Sequence, residues 1–120
     1  ISFVNGDLSA ESIPGAEGPF DLLFDWGTLD DLQGDSRRRM ANLMTRLAAP
    51  GARGFVYCFY APRDQLPRMS FSGASRAAPG IEPGEMERLF GADWDIEHLT
   101  EFDSDEQEAV FLMTRRTEAA

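Results

Sequence analysis

The side chains of this sequence that could do chemistry are mostly carboxylates. Twenty-one Asp and Glu face eleven cations, every one of them arginine, with a single histidine (His98) and a single cysteine (Cys58). Without lysine the chain can supply neither a Schiff base nor the lysine of a P-loop. One cysteine excludes an internal disulfide and any multi-cysteine zinc or iron–sulfur site. One histidine excludes a two-histidine site, and no metal site is expected. A net charge of −10 repels phosphate backbones and anionic lipid, so neither a nucleic acid nor a membrane is an expected partner. The same charge also serves plain solubility.

Three residues stand at or just after the ends of expected strands: Asp7, Asp25 and Tyr60. Asp25-Trp26-Gly27 is the strongest set. A carboxylate at a strand end, followed by a flexible glycine, can face a cation, and an aromatic such as Trp26 can stack on that cation or flank it. The alternatives are an N-cap or turn role for Asp25 and core packing for Trp26. Asp7 follows Asn5-Gly6, a turn signal, where an aspartate can also bond the backbone two residues on. Asp30-Asp31 can deprotonate or orient a nucleophile, or form the solvated start of a helix. His98 falls in a late strand, far from this site, and reads as structural. Cys58, inside an apolar run, reads as a small core residue. Arg37-Arg38-Arg39 occupies the first turn of a helix, the unfavourable end for cations, and is expected to pair with Asp30, Asp31 or Asp35.

The elements that must position these residues follow from pattern. Residues 2–4 suggest the end of a strand, and residues 9–19 a loop. Phe20-Asp21-Leu22-Leu23-Phe24-Asp25 is a short, largely apolar run that suits a strand buried on both faces, as in a parallel sheet. Met40, Leu43, Met44 and Leu47 share one helical face, with Asp35 or Ser36 as cap. Residues 54–60 form a second buried strand. Residues 62–81 hold Pro62, Pro67, Gly73, Pro79 and Gly80 and predict a long loop of the kind that forms lids and binding loops. Pro83 opens a short helix with Met86, Leu89 and Phe90 inward. Residues 94–102 and 109–114 predict an antiparallel hairpin across an acidic turn. Alternating strands and helices define an α/β fold with a largely parallel sheet and one antiparallel C-terminal strand, in a single domain. No apolar run approaches the roughly 18 residues of a membrane helix, and no signal peptide is evident, so the cytoplasm is the expected location.

In order and spacing these motifs resemble the second half of a class I S-adenosylmethionine-dependent methyltransferase, over residues 2–116. Phe3-Val4-Asn5-Gly6-Asp7 is similar to the third strand of that Rossmann-like fold and its acidic turn. Residues 20–29 are similar to the fourth strand and following loop, with the acidic, bulky, glycine and apolar sequence of the thiopurine and tellurite-resistance type. Leu47-Ala48-Ala49-Pro50-Gly51-Ala52-Arg53-Gly54-Phe55 is similar to the entry to the fifth strand. Residues 79–96 resemble the approach to the sixth strand, and residues 109–115 the seventh. The glycine-rich loop after the first strand is absent, as is the acidic residue ending the second.

The resemblance implies transfer of a methyl group from S-adenosylmethionine to a small-molecule acceptor. It implies that Asp7, Leu8, Asp25, Trp26 and Gly27 bind the cofactor, with the Asp7 carboxylate on the adenine amino group and Asp25 facing the sulfonium. Asp25 and Asp30 are the candidate catalytic residues, and Tyr60, Met69, Phe71 and Arg76 the candidate acceptor contacts. The implied strand order is 3-2-1-4-5-7-6, from which this chain lacks strands 1 and 2, about two βα units or roughly 60 residues. The chain is therefore expected to be the C-terminal portion of a larger domain, completed upstream in the same chain or by another chain, with a homodimer as one form. A non-catalytic α/β interaction or binding module, and a chance likeness to another doubly wound protein, are the competing readings.

Overall fold

Three apolar runs of the sequence become neighbouring strands of one sheet. The computed structural model describes residues 1–66, 70–71, 74–75 and 80–117, with only the backbone at 70–71 and 74–75. The main elements are β1 (Phe20–Trp26), α1 (Asp35–Leu47), β2 (Ala48–Phe59), β3 (Ser70–Phe71), β4 (Ala74–Ser75), α2 (Glu85–Phe90), β5 (Trp94–His98) and β6 (Glu108–Arg115). Short 3-10 turns follow β1 at Leu29–Asp31 and β5 at Thr100–Phe102.

The main sheet has the order β1-β2-β6-β5, and β3-β4 forms a separate two-stranded hairpin. β1 pairs parallel with β2, whereas β6 pairs antiparallel with both β2 and β5. Three strands therefore share one direction and β6 alone opposes them. The sheet is mixed, and its order reproduces the last four strands expected from the resemblance. The long helical face of α1 buries Met40, Ala41, Leu43 and Met44. The Pro50-Gly51 pair lies within β2, which begins directly after α1.

Strand alternation gives the sheet two unlike faces. On one, Val56, Cys58, Phe111 and Met113 join Met40, Met44, Met86, Phe90 and Trp94 in the core. Each large apolar side chain sealed there contributes about 1.5–3 kcal/mol. Gly54 is required at its position, because a Cβ would lie 2.9 Å from Met113 Cε and 3.2 Å from Trp94 Cζ3. The Trp94 indole N–H donates to Thr45 Oγ1 at 2.9 Å, so the buried ring keeps its polar atom satisfied. On the other face Leu22 (64% exposed), Phe24 and Trp26 (both 62%) remain open to solvent. Among the described rings, Phe24 stacks on Trp26 and on Phe55, and Trp26 on Tyr57.

Residues 2–4 form no strand. A strand needs a partner for its backbone donors and acceptors, and β1 is the last strand on that side of the described sheet. Phe3 is instead 95% exposed. The N-terminal segment is held to α1 by a hydrogen bond from Arg46 Nη2 to the Glu11 carbonyl.

Candidate functional site

β1 is an edge strand, and its free side opens into a groove of about 430 Å³ between strand and helix. Leu8, Leu22, Asp25, Trp26, Thr28 and Met44 are among its walls. Three of the proposed cofactor residues, Leu8, Asp25 and Trp26, thus meet at one feature although the first is far from the others in sequence. Gly27 follows them with φ +78°, a left-handed turn, and a Cβ there would meet open space. Gly27 N–H still donates to the Tyr57 carbonyl, so the pairing of β1 with β2 extends into the turn.

Asp25 and Trp26 project from opposite faces of the sheet, as neighbours in a strand must. Asp25 is 5% exposed beneath α1, whereas Trp26 lies flat over Tyr57, centroids 3.9 Å apart. The expected direct pairing of the two around one cation is therefore not a face-sharing arrangement. Carboxylate and indole border the groove from the two sides of the strand edge.

The Asp25 carboxylate also caps the turn that follows. Leu29 N–H donates to Oδ2 at 3.2 Å. Burial pushes the Asp25 carboxyl above its ordinary value; the Leu29 bond opposes this, and the Asp30 charge pushes the same way as burial. Asp30 is likewise raised, chiefly by burial, against the pull of the Phe59 amide and the Arg37 charge. Its Oδ2 accepts the Phe59 N–H at 2.8 Å, and its carbonyl accepts Gly80 N–H at 2.9 Å. Asp30 thus joins the turn after β1 to the end of β2 and to the return of the 62–81 connection.

Arg37 completes this joint. It is 4% exposed, and its guanidinium donates to the carbonyls of Leu29, Asp30 and Leu32 and to Glu85 Oε2 at 2.8 Å. The basic run at the start of α1 had suggested pairing with Asp30, Asp31 or Asp35. Arg39 does pair with Asp35 at 2.9 Å, but Arg37 holds the backbone of the acidic turn and ties it to α2. Nothing in the spacing of three arginines distinguished the buried one.

The remaining proposed residues are dispersed. Asp7 is exposed and binds the Ser9 N–H at 2.8 Å and the Ser9 hydroxyl at 2.7 Å. The Ser9 backbone bond, then its hydroxyl, holds the Asp7 carboxyl below its ordinary value. Tyr60 bridges to Ile81 and lines a separate depression of about 320 Å³ at the same carboxyl edge of the sheet. Met69 and Arg76 lie outside the described residues, and of Phe71 only the backbone is described. His98, read as structural and far away, stands in that depression, edge-on to Tyr60 with centroids 5.2 Å apart. Its place as the last residue of a strand was the available signal. Cys58 is fully buried, and burial pushes its thiol far up, as fits a core residue. No described group of His, Cys, Asp and Glu is arranged to hold a metal ion.

No protein-family model and no curated protein matches the chain. Solved structures do. A SAM-dependent methyltransferase from Methanosarcina mazei superposes with a TM-score of 0.64 at 14% identity, covering 94% of this chain and 66% of that one. The glycopeptide N-methyltransferase MtfA, solved with S-adenosyl-L-homocysteine, gives 0.63 at 11% identity, covering 93% and 60%. The [4+2]-cyclase SpnF gives 0.58 at 15% identity, covering 92% and 55%. The chain thus has the class I methyltransferase fold in its β1-β2-β6-β5 part. It spans between 35% and 66% of the length of such structures. The cyclase shows that this fold alone does not settle the reaction. No helix of the described residues is long and apolar enough to cross a membrane.

Proposed function

We propose that this chain is the C-terminal portion of a small-molecule S-adenosylmethionine-dependent methyltransferase of the thiopurine or tellurite-resistance type. The cofactor site is completed by a segment outside these 120 residues, upstream in the same chain or in another copy or chain. The strand order β1-β2-β6-β5, with a single opposed strand next to last, carries the reading. The open groove at β1 supports it.

The groove suits the cofactor in part. Asp25 offers a carboxylate for a cation, Leu22 and Met44 offer apolar walls, and Trp26 offers a ring at the rim. When bound, S-adenosylmethionine supplies a methyl group already activated on a sulfonium. Leu8 lines the groove on the side proposed for the adenine, Asp7 beside it is the proposed partner of the adenine amino group, and the completing segment supplies the cradle for the methionine part. Asp30, fixed by the Phe59 amide, holds the turn that aims the acceptor. Tyr60, Met69, Phe71 and Arg76 then border the acceptor. Methyl transfer of this kind asks the protein chiefly for positioning and exclusion of water.

Calorimetric titration of S-adenosylhomocysteine into the full-length protein tests the reading. Binding that is lost when the segment outside residues 1–120 is removed is expected; no binding in either form overturns it. A second reading, a non-catalytic interaction module, is favoured by the open row Leu22, Phe24 and Trp26. A partner that covers this row while S-adenosylhomocysteine leaves the melting temperature unchanged would select it.

A further inference from the structure

We propose that the depression at the carboxyl ends of β2 and β5 binds a small organic ammonium ion through Tyr60, His98, Asp103 and Glu108. The site shares Tyr60 with the acceptor contacts of the methyl-transfer reading, but neither the β1 groove nor a cofactor enters the argument.

The place is one where α/β sheets hold ligands, just outside the carboxyl ends of strands that run together. The depression measures about 320 Å³, enough for a small amine. One wall is aromatic: Tyr60 stands edge-on to His98 at 5.2 Å and to Phe111 at 5.1 Å, and His98 stacks on Phe111 at 4.8 Å. A ring so braced presents a fixed face to a cation. The other wall is anionic. Asp103 Oδ1 meets His98 Nε2 at 2.7 Å, which fixes the imidazole, and Glu108 lines the same space. Glu87 adds negative charge near Tyr60.

These carboxylates differ from the five that pair with an arginine. Asp35, Glu85, Glu82, Asp93 and Asp95 each meet an arginine. Asp103 meets the imidazole, and Glu108 meets the Ser104 hydroxyl at 3.2 Å. No arginine is among the described residues that line the depression. Arg63, close in sequence, is directed to Glu82 and the Gly80 carbonyl. The negative field over the ring is therefore available to a cation from solution, and the ring selects one that carries apolar surface.

The assigned side-chain NMR signals of the His98 imidazole make the test direct. Benzylammonium chloride is titrated into the full-length protein without cofactor, with benzyl alcohol as the uncharged control. A saturable shift of the His98 signals by the ammonium alone is expected. Asp103→Asn should weaken that binding roughly tenfold. Asp105→Asn, with equal charge loss but outside the lining, should change it less than about twofold. No saturable shift, an equal response to benzyl alcohol, or equal affinity in Asp103→Asn and Asp105→Asn overturns the site. None of these outcomes depends on whether S-adenosylhomocysteine binds.

Discussion

The Asp30 carboxylate accepts the Phe59 amide at 2.8 Å across 29 residues of sequence, and so closes the turn after β1 onto the end of β2. Removing the acceptor in Asp30→Ala leaves a part-buried N–H without its partner and should cost about 1–3 kcal/mol. Asp30→Asn keeps an oxygen there and removes a desolvated charge, so it should be close to neutral. Urea denaturation of both variants checks this; equal losses would show that the charge matters more than the acceptor.

Arg37 holds three backbone carbonyls and Glu85 from a buried position. Arg37→Met strands these acceptors and an uncompensated carboxylate, and should cost about 3–5 kcal/mol. Arg37→Lys should rescue little, because an ammonium cannot reproduce the planar fork. The urea midpoint of each variant reads both outcomes.

Asp25 and Asp30 are both raised above the ordinary 3.8, burial being the first cause in each. Between the ordinary and the raised values the folded chain holds protons that the unfolded chain has released. Their contribution to stability is thus full below the ordinary value and is lost as pH rises through the raised folded values. Asp7 runs the other way but is fully exposed. In Asp25→Asn the stability of the fold should fall less steeply as pH climbs above 3.8 than in the unaltered chain. Parallel curves would contradict the burial of that charge.

Leu22 and Phe24 expose most of their surface on the uncovered sheet face. Replacing both with serine should change stability by no more than about 1 kcal/mol and should sharply reduce binding of a hydrophobic dye. If the face is instead part of the folded core in solution, the double variant will unfold.

Much of this architecture is visible in the chain before folding. The 40–43–44–47 face of α1 announces itself by period, because one side of the helix is buried, and the strands announce themselves as apolar runs. But the run 20–25, expected to be buried on both faces, leaves Leu22 and Phe24 open on one because β1 is an edge strand. Phe3-Val4 has the composition of a strand but no partner, and strand formation is decided by pairing rather than by local preference. The site was legible as far as Asp25 and Asp30, since a strand end is readable. That Asp25 and Trp26 face apart follows from alternation, once the strand is known to extend to Trp26. Arg37 and His98 were not legible in their roles: one is chosen from three equal arginines by the helix's rotation, the other by the packing of Tyr60 against it.

The central claim is that the β1 groove serves S-adenosylmethionine through Asp25. Calorimetric titration of S-adenosylhomocysteine and S-adenosylmethionine into the full-length protein and its Asp25→Asn variant tests it most directly. Both ligands should bind the unaltered protein. In the variant the positively charged ligand should weaken roughly tenfold, and the neutral thioether far less. Failure of either ligand to bind a folded full-length protein, or equal weakening of both, would contradict the account.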